Sequence, residues 1–322
     1  MKTIGIFCGG YSSESAISIK SAQTIQDNLP EEYRVIKIYV SKDNWVAEIV
    51  NGLVSFDLNS MSCKSDVNVS LDYAIVYVHG DPGENGKIQS LLEMKHIPYI
   101  NSGPLASALS FDKWYCNQFL KGFGIPVAKS CFISSDQKYT TTTIIEELGL
   151  PVFVKPCDSG SSFGISKVKV SEELEPAIEN AFKEGNSVVI ESFLDGVEVT
   201  CGVYKGRNGL HALPLTEIAS ENEFFDYDAK YHGKSQEITP ARVSETIKNE
   251  VQRLAKYIYQ LMGLRSIARI DFMVVEGQPF VIEVNTTPGF SPASIVPQMI
   301  KADGNSLKEF WKEIVEVELK NQ

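Results

Sequence analysis

The sequence predicts an α/β protein, a parallel sheet flanked by helices and followed by two smaller α+β units. Three observations lead there. Strand-like and helix-like stretches alternate up to about Ile100, the pattern of parallel strands joined by right-handed crossovers. Further on, Val152–Lys155 and Ile165–Val170 flank a glycine- and serine-rich run, Asp158–Gly164, as in a hairpin. Near the C-terminus, Ala268–Phe272 and Val281–Asn285 alternate apolar and polar residues with the period 2 of half-buried strands. At roughly 100–200 residues per domain, 322 residues suggest two or three domains, and the units are expected at 1–102, 103–194 and 195–322.

In the first unit, Thr3–Cys8 reads as a buried strand ended by Gly9-Gly10, and a helical stretch runs from the serine-rich turn after it to about Asn28. Arg34–Val40, Tyr73–Val78 and Ile97–Ile100 read as strands, with a helix over Gly86–Met94. In the second unit, Phe111–Phe123 is helical and is stopped by Gly124 and Pro126. Val127–Ile133 and Ser187–Phe193 are strands beside the hairpin. A threonine of the run Thr140-Thr141-Thr142-Thr143 is placed to cap a short helix, and Ser171 to cap one reaching Glu184. The third unit offers strands over Glu198–Tyr204, Leu210–Glu217, Ser266–Val275 and Pro279–Asn285, and helices over Val243–Met262 and Ser306–Leu319. Between Ala219 and Pro240 lies a polar stretch without a period, and loops of ~20 residues in compact domains are usually functional or disordered. It and the tip of the glycine-serine hairpin are expected to be mobile.

Composition narrows the function. Apolar residues are 43% and charged residues 22%, which excludes disorder, collagen and coiled coil. Thirty basic against 41 acidic residues, net −11, disfavour a nucleic-acid partner, and an anionic substrate would need a local basic pocket. The six cysteines form no CxxC pair, and with four histidines there is no zinc-ligand spacing, so reduced thiols are expected. Met1–Gly10 is too short for a signal-peptide core. Tyr73–Val78, the longest strongly apolar run, falls far below the ~20 residues that span a membrane. A soluble, cytoplasmic protein without a membrane partner follows.

The chemistry concentrates in the C-terminal strand pair. Period 2 puts Arg269 and Asp271 on one face of the first strand, and Glu283 and Asn285 on one face of the second. Pairing about a turn centred on Gly277 sets Asp271 against Glu283 and Arg269 against Asn285. Two facing carboxylates repel unless a cation lies between them. Asp, Glu and Asn supply hard oxygens suited to Mg²⁺ bridging phosphates. Since the facing residues are all odd-numbered, a plain two-residue turn at Glu276-Gly277 cannot align them; the loop must be odd in length or the hairpin must bulge. A second element is Lys155 followed by Asp158–Gly164, where small residues let backbone N–H groups approach a phosphate and the lysine adds a point charge. The GxxxxGK[ST] loop and the GxGxxG fingerprint are both absent. A third is Gly9–Glu14, at a strand end where open α/β sheets bind ligands. There Glu14 is either a helix-end dipole partner or the holder of a ligand ammonium. His79, in His79-Gly80-Asp81-Pro82-Gly83-Glu84, is either structural or a ligand contact at the same sheet edge.

Taken together these blocks resemble the D-alanine-D-alanine ligases of the ATP-grasp superfamily. The resemblance spans nearly the whole chain. It is carried by His79–Glu84, Ser102–Lys113, Val154–Gly164, Phe225–Tyr231, Arg269–Asp271 and Glu283–Gly289. It implies an ATP-grasp fold behind a Rossmann-like N-terminal domain. The implied reaction phosphorylates one D-alanine with ATP, and the amine of a second D-alanine then attacks the acyl phosphate; the dipeptide serves peptidoglycan synthesis. Asp271, Glu283 and Asn285 match the ligands of Mg²⁺ or Mn²⁺, two ions in all. Lys113, Lys155 and Ser162 match ATP contacts, Glu191, Phe193 and Leu194 the adenine-binding segment, and Glu198 the ribose contact. Glu14 matches the residue that holds the first ammonium, with His79 beside it. Arg269 and the Gly289 N–H match an oxyanion site, and Ser294 the hydroxyl that binds the second carboxylate. Ser161, Lys230 and Tyr231 match lid residues that keep water from the acyl phosphate. Tyr231, where lactate-using relatives tend to have histidine, favours an amine acceptor, with D-serine as the alternative. Where relatives often carry a second acid two places after Glu14, this chain has Ala16. The resemblance further implies a homodimer acting on small molecules. A non-catalytic nucleotide sensor of the same fold would have lost a metal ligand or Arg269, and none is missing.

Overall fold

The computed structural model describes residues 1–63, 69–158, 163–220 and 235–320. The first sheet grows around β1 (Lys2–Gly9), whose residues after Lys2 are all buried. It pairs in parallel with β2 (Tyr33–Val40) on one side and β7 (Tyr73–Val76) on the other, and β8 (Tyr99–Ile100) continues beyond β7. Helices α1 (Ser15–Asn28) and α2 (Lys87–Met94) provide crossovers, as the alternating pattern predicts. Gly9 and Gly10 turn the chain with φ of 90° and 110°, and a Cβ on Gly10 would lie 2.6 Å from Val78 Cγ1.

Four strands unforeseen in the sequence extend this sheet: β3 (Val46–Ile49), β4 (Gly52–Asp57), β5 (Ser62–Cys63) and β6 (Val69–Ser70). They run antiparallel beyond β2, so the sheet is mixed rather than parallel throughout. The signal was present. Asn51-Gly52 is a strong short-range hairpin marker, and it falls at the turn: Ile49 pairs with Gly52 across Val50-Asn51.

Helix α4 (Lys113–Gly122) is the helix expected over Phe111–Phe123, and α3 (Pro104–Phe111), unforeseen in the sequence, precedes it. The break falls at Asp112, whose backbone is extended and whose carboxylate caps α4 by accepting from Tyr115 N at 3.0 Å. The second sheet is antiparallel, in the order β11 (Ser166–Val168), β10 (Val152–Pro156), β12 (Ser187–Ser192), β9 (Ser130–Ser134). The pairing of β10 with β11 makes the expected hairpin, though its tip, residues 159–162, lies outside the described residues. Helices α5 (Thr141–Leu148) and α6 (Leu174–Ala181) bury Ile144, Leu174 and Ile178 against it. The two expected caps differ. Thr140 makes no side-chain bond to α5, and Glu173 rather than Ser171 reaches back to accept Lys169 N at 2.9 Å. Val127 lies before β9, bridged instead to Val281.

The third sheet runs β16 (Ser235–Ile238), β15 (Thr216–Ser220), β13 (Val197–Gly206), β17 (Ile267–Val275), β18 (Gln278–Asn285), with β14 (Gly209–Ala212) paired to β13. The single strand expected over Leu210–Glu217 is split around Pro214, which cannot donate to a ladder. On α7 (Glu245–Leu261), Val251, Leu254, Ala255 and Ile258 recur at helical spacing and are buried. Each of the larger ones contributes about 1.5–3 kcal/mol. Helix α8 (Ile295–Ala302) has no counterpart in the sequence reading, because Pro297 in its first turn masks it. Helix α9 (Leu307–Lys320) brings Phe310 and Trp311 against Tyr77, Tyr204 and Phe290, an aromatic cluster joining the first and third sheets. All six cysteines are free thiols and five are buried.

Candidate active site

A cleft of about 770 Å³ is lined by residues of all three sheets. On its wall from the third sheet, Arg269 pairs with Asn285 and Asp271 with Glu283, as the odd-numbered pattern requires. The turn itself is the plain two-residue Glu276-Gly277, with φ of 50° and 85°. Past Asp271 the register shifts, so that Phe272 pairs with Val281. The expected irregularity is therefore a bulge, and it turns both carboxylates to one face.

Asp271 is held from three sides. Arg269 Nε and Nη2 each donate at 2.8 Å, Asn285 Nδ2 at 3.1 Å, and Thr200 Oγ1 donates to Oδ1. Burial works against the Arg269 charge, but the Asp271 carboxylate outweighs it and raises the guanidinium above its ordinary range. Lys113 Nζ lies 3.9 Å from Glu283 Oε1. Asn285 spends its amide N–H on Asp271, leaving Oδ1 as a hard donor beside two carboxylates. Among the described residues no group of three or more His, Cys, Asp or Glu gathers as a metal cage. The donor set fits a cation that takes one or two carboxylates and completes its shell with phosphate oxygens, as Mg²⁺ does.

Opposite, the first sheet contributes Glu14, His79 and Glu84. Glu14 occupies the N-cap position of α1 without a side-chain cap bond, so capping does not account for it. Its charge acts instead on His79 and Glu84. Burial lowers the His79 pKa below its ordinary value; the ring hydrogen-bonds the Thr287 backbone, and Nε2 has no partner among the described residues. Burial and the Glu14 charge push the Glu84 carboxyl up to about 8, against the Gly80 N–H that it accepts at 2.7 Å.

The loop from Thr286 to Ser294 lies between these walls and is fixed by the first sheet. Tyr77 OH donates to Pro288 O at 2.7 Å, Asn101 Nδ2 to Thr287 Oγ1 at 3.0 Å, and Phe290 N to Ser21 Oγ at 3.1 Å. A Cβ on Gly289 would come within 3.1 Å of Ser294 Oγ. Ser294 precedes α8 and accepts Ser291 N at 3.0 Å. The second sheet supplies Lys155, whose Nζ lies 2.6 Å from Glu191 Oε2, while Asn117 Nδ2 donates to Oε1 at 2.6 Å. Phe193, Leu194 and Glu198 line the cleft beside them. Lys113 N donates to Cys157 O at 2.8 Å, tying α4 to the end of β10. Ser161, Ser162, Lys230 and Tyr231 lie outside the described residues.

Residues 3–102 match the family model described as D-ala D-ala ligase N-terminus, and residues 119–316 match D-ala D-ala ligase C-terminus. The chain belongs to the D-ala D-ala ligase family. A D-alanine--D-alanine ligase from Parabacteroides distasonis is 42% identical, covering 100% of this chain and 98% of its own. VanG D-Ala:D-Ser ligase from Enterococcus faecalis has a TM-score of 0.88 at 30% identity, covering 98% of this chain and 99% of its own. D-alanine--D-Alanine ligase from Bacillus anthracis complexed with ATP has a TM-score of 0.81 at 27% identity, covering 100% and 98%. The fold is accordingly ATP-grasp.

Sequence reasoning overlooked three members of this D-ala D-ala ligase cleft. Thr200 is the cross-strand partner of Asp271, 71 residues away in the chain, and no local pattern in the sequence shows that pairing. Glu84 stands in the His79–Glu84 run, but its burial does not show in the sequence. Glu237 falls in the polar stretch that lacks a period.

Proposed function

We propose that this chain joins two D-alanines into D-alanyl-D-alanine at the expense of ATP, supplying a peptidoglycan precursor. One observation carries the reading. The Arg269–Asp271–Glu283–Asn285 face, suited to phosphate and its cation, shares a cleft with Glu14, a carboxylate suited to an amino acid's ammonium. The relatives' names agree.

Glu14 holds the first D-alanine by its ammonium, with His79 beside it. The carboxylate oxygen of that D-alanine takes the γ-phosphoryl group of ATP, releasing ADP; the neutral amine of the second D-alanine then attacks the acyl carbon, phosphate leaves, and the attacking nitrogen gives up a proton. Lys113, Lys155 and Ser162 contact the ATP phosphates, Glu191, Phe193 and Leu194 the adenine, and Glu198 the ribose. Asp271, Glu283 and Asn285 would hold Mg²⁺ or Mn²⁺, two ions in all, and the metal would offset the phosphate charge when bound. Arg269 keeps its Nη1 hydrogens beyond the two contacts to Asp271; with the Gly289 N–H they stabilise the tetrahedral oxyanion. Ser294, at the N-terminus of α8, receives the acceptor carboxylate, which the helix end also favours. Ser161, Lys230 and Tyr231 close over the acyl phosphate and exclude water.

No helix among the described residues is long and apolar enough to cross a membrane. A cytoplasmic homodimer acting on small molecules, with units at 1–102, 103–194 and 195–322, completes the proposal; its free thiols suit a reducing compartment. The likeness to VanG supports a second reading, D-serine as acceptor. The test is ADP formation with Mg²⁺ and D-alanine, against D-alanine paired with D-serine or D-lactate and against L-alanine alone. D-alanine alone should give the fastest turnover and a dipeptide product. Absence of ADP with D-alanine refutes the reading, and faster turnover with D-serine favours the alternative.

A further inference from the structure

The roles proposed above leave the acceptor's amino group without a partner. The carboxylates of the cleft are nearly all committed: Glu14 to the first ammonium, Asp271 and Glu283 to the cation, Glu198 to the ribose. Glu217 is ion-paired, its Oε1 lying 2.6 Å from Arg242 Nη2 and its Oε2 3.0 Å from Arg242 Nε. Glu237 is different. It stands on β16, opposite Ile218, and lines the cleft together with Ser291, Ala293 and Ser294. Its Oε2 accepts from Gln298 Nε2 at 2.8 Å, and the same Nε2 donates to Ala293 O at 2.9 Å. One amide group thus ties the Glu237 carboxylate to the residue immediately before Ser294. Gln298 is neutral, so no ion pair among the described residues matches the Glu237 charge. Burial pushes its carboxyl up, while Gln298 and the Arg269 charge pull it down. The carboxylate therefore lies within electrostatic reach of Arg269 and one side-chain bridge from the Ser294 loop.

We propose that Glu237 receives the ammonium group of the acceptor amino acid and thereby selects an amine over a hydroxy acid. The inference rests on the ligase reading above. An α-amino acid presents its carboxylate and ammonium one carbon apart, so a hydroxyl donor on the Ser294 loop and a carboxylate tethered to that loop make a matched pair of contacts. D-lactate offers the same carboxylate but no cation, and gains nothing from Glu237. The choice would thus be made by charge pairing with a half-buried carboxylate, whose effective dielectric is lower than that of open water.

The test uses the full chain with saturating ATP and Mg²⁺. Dipeptide formation is measured against D-alanine to separate the two amino-acid KM values, and D-lactate is titrated as a competitor at the acceptor site. Glu237→Gln should raise the acceptor KM at least tenfold. The first-site KM, the KM for ATP and the D-lactate inhibition constant should stay within twofold. Glu237→Asp, which keeps the charge, should recover part of the loss and keeps the test alive should the glutamine variant fail to fold. An unchanged acceptor KM in Glu237→Gln overturns the proposal. So does an equal weakening of D-alanine and D-lactate, which would mean that Glu237 only steadies Gln298 and its loop. A wild-type enzyme that forms no dipeptide from D-alanine removes the ligase reading itself, and this proposal with it.

Discussion

Glu84→Gln should remove a pH dependence from the stability of the first sheet. In the folded chain, burial and the charge of Glu14 push the Glu84 carboxyl up to about 8, whereas an ordinary glutamate titrates near 4.5. Between those values the unfolded chain has released a proton that the folded chain retains. Folding therefore takes up a proton there, and raising the pH favours the unfolded state. The contribution is fully present below about pH 4.5 and is lost as the pH rises through about 8. At about 1.4 kcal/mol per pH unit, the interval between 4.5 and 8 sets a ceiling of about 5 kcal/mol. Glu84 keeps part of its surface in the cleft, where solvent screens it, so about half of that ceiling is the expected size. Glutamine retains an oxygen for the Gly80 N–H and cannot ionise. The assay is urea unfolding of both proteins at intervals from pH 5 to 9, reading the transition that melts the first sheet. Wild type minus variant should fall by about 2–3 kcal/mol across that range. His79, whose buried ring resists protonation as the pH falls, is present in both proteins and cancels in the difference. A difference constant to within about 0.5 kcal/mol would refute the reasoning, because a carboxyl already ionised in the folded state brings no such slope.

Glu283→Gln should lower turnover by at least about 100-fold, read as phosphate release at ordinary magnesium, while the far-ultraviolet circular dichroism melt stays in place. A near-normal rate would remove Glu283 from the cation site. Lys155→Met strands the buried Glu191 carboxylate, now 2.6 Å from the Lys155 ammonium, and should cost about 3–5 kcal/mol of stability. Adding Glu191→Gln should restore most of it, and a double variant no more stable than the single one would show that the pairing is not the cause. Gly83→Ala would set a Cβ 2.1 Å from Val78 O, so the Pro82–Glu84 backbone must move; a loss of about 3 kcal/mol and a raised first-site KM are expected, and a fully stable, fully active alanine variant would contradict that close approach.

Much of the site could be read from local pattern. Period 2 gave Arg269, Asp271, Glu283 and Asn285 one face, and parity alone required a bulge or an odd loop in their hairpin. The glycine-serine run between Val152–Lys155 and Ile165–Val170 marked a second hairpin, and strand-helix alternation marked the parallel strands of the first sheet. Propensity failed where the chain broke its own rhythm. Asp112 parts α4 from the unforeseen α3, Pro214 divides one strand, and Pro297 hides α8. The hairpin at Asn51-Gly52 carried a legible signal that strand-helix alternation overshadowed.

By itself the sequence determined which residues share a face, because side-chain direction along a strand or helix depends only on neighbours a few positions away. It determined the donor types too, and through the order of its motifs the resemblance. Only the tertiary structure decided which faces meet. Tyr77, Asn101 and Ser21 of the N-terminal unit fix the Thr286–Ser294 loop that follows β18, contacts nearly two hundred residues or more apart in the chain. It also decided charge state. Glu84 and Glu14 are the same residue type near the same sheet edge, yet burial and Glu14's own charge keep Glu84 protonated near neutral pH. A pKa depends on the solvent and charges that surround a group in space, and one-dimensional order does not contain that information.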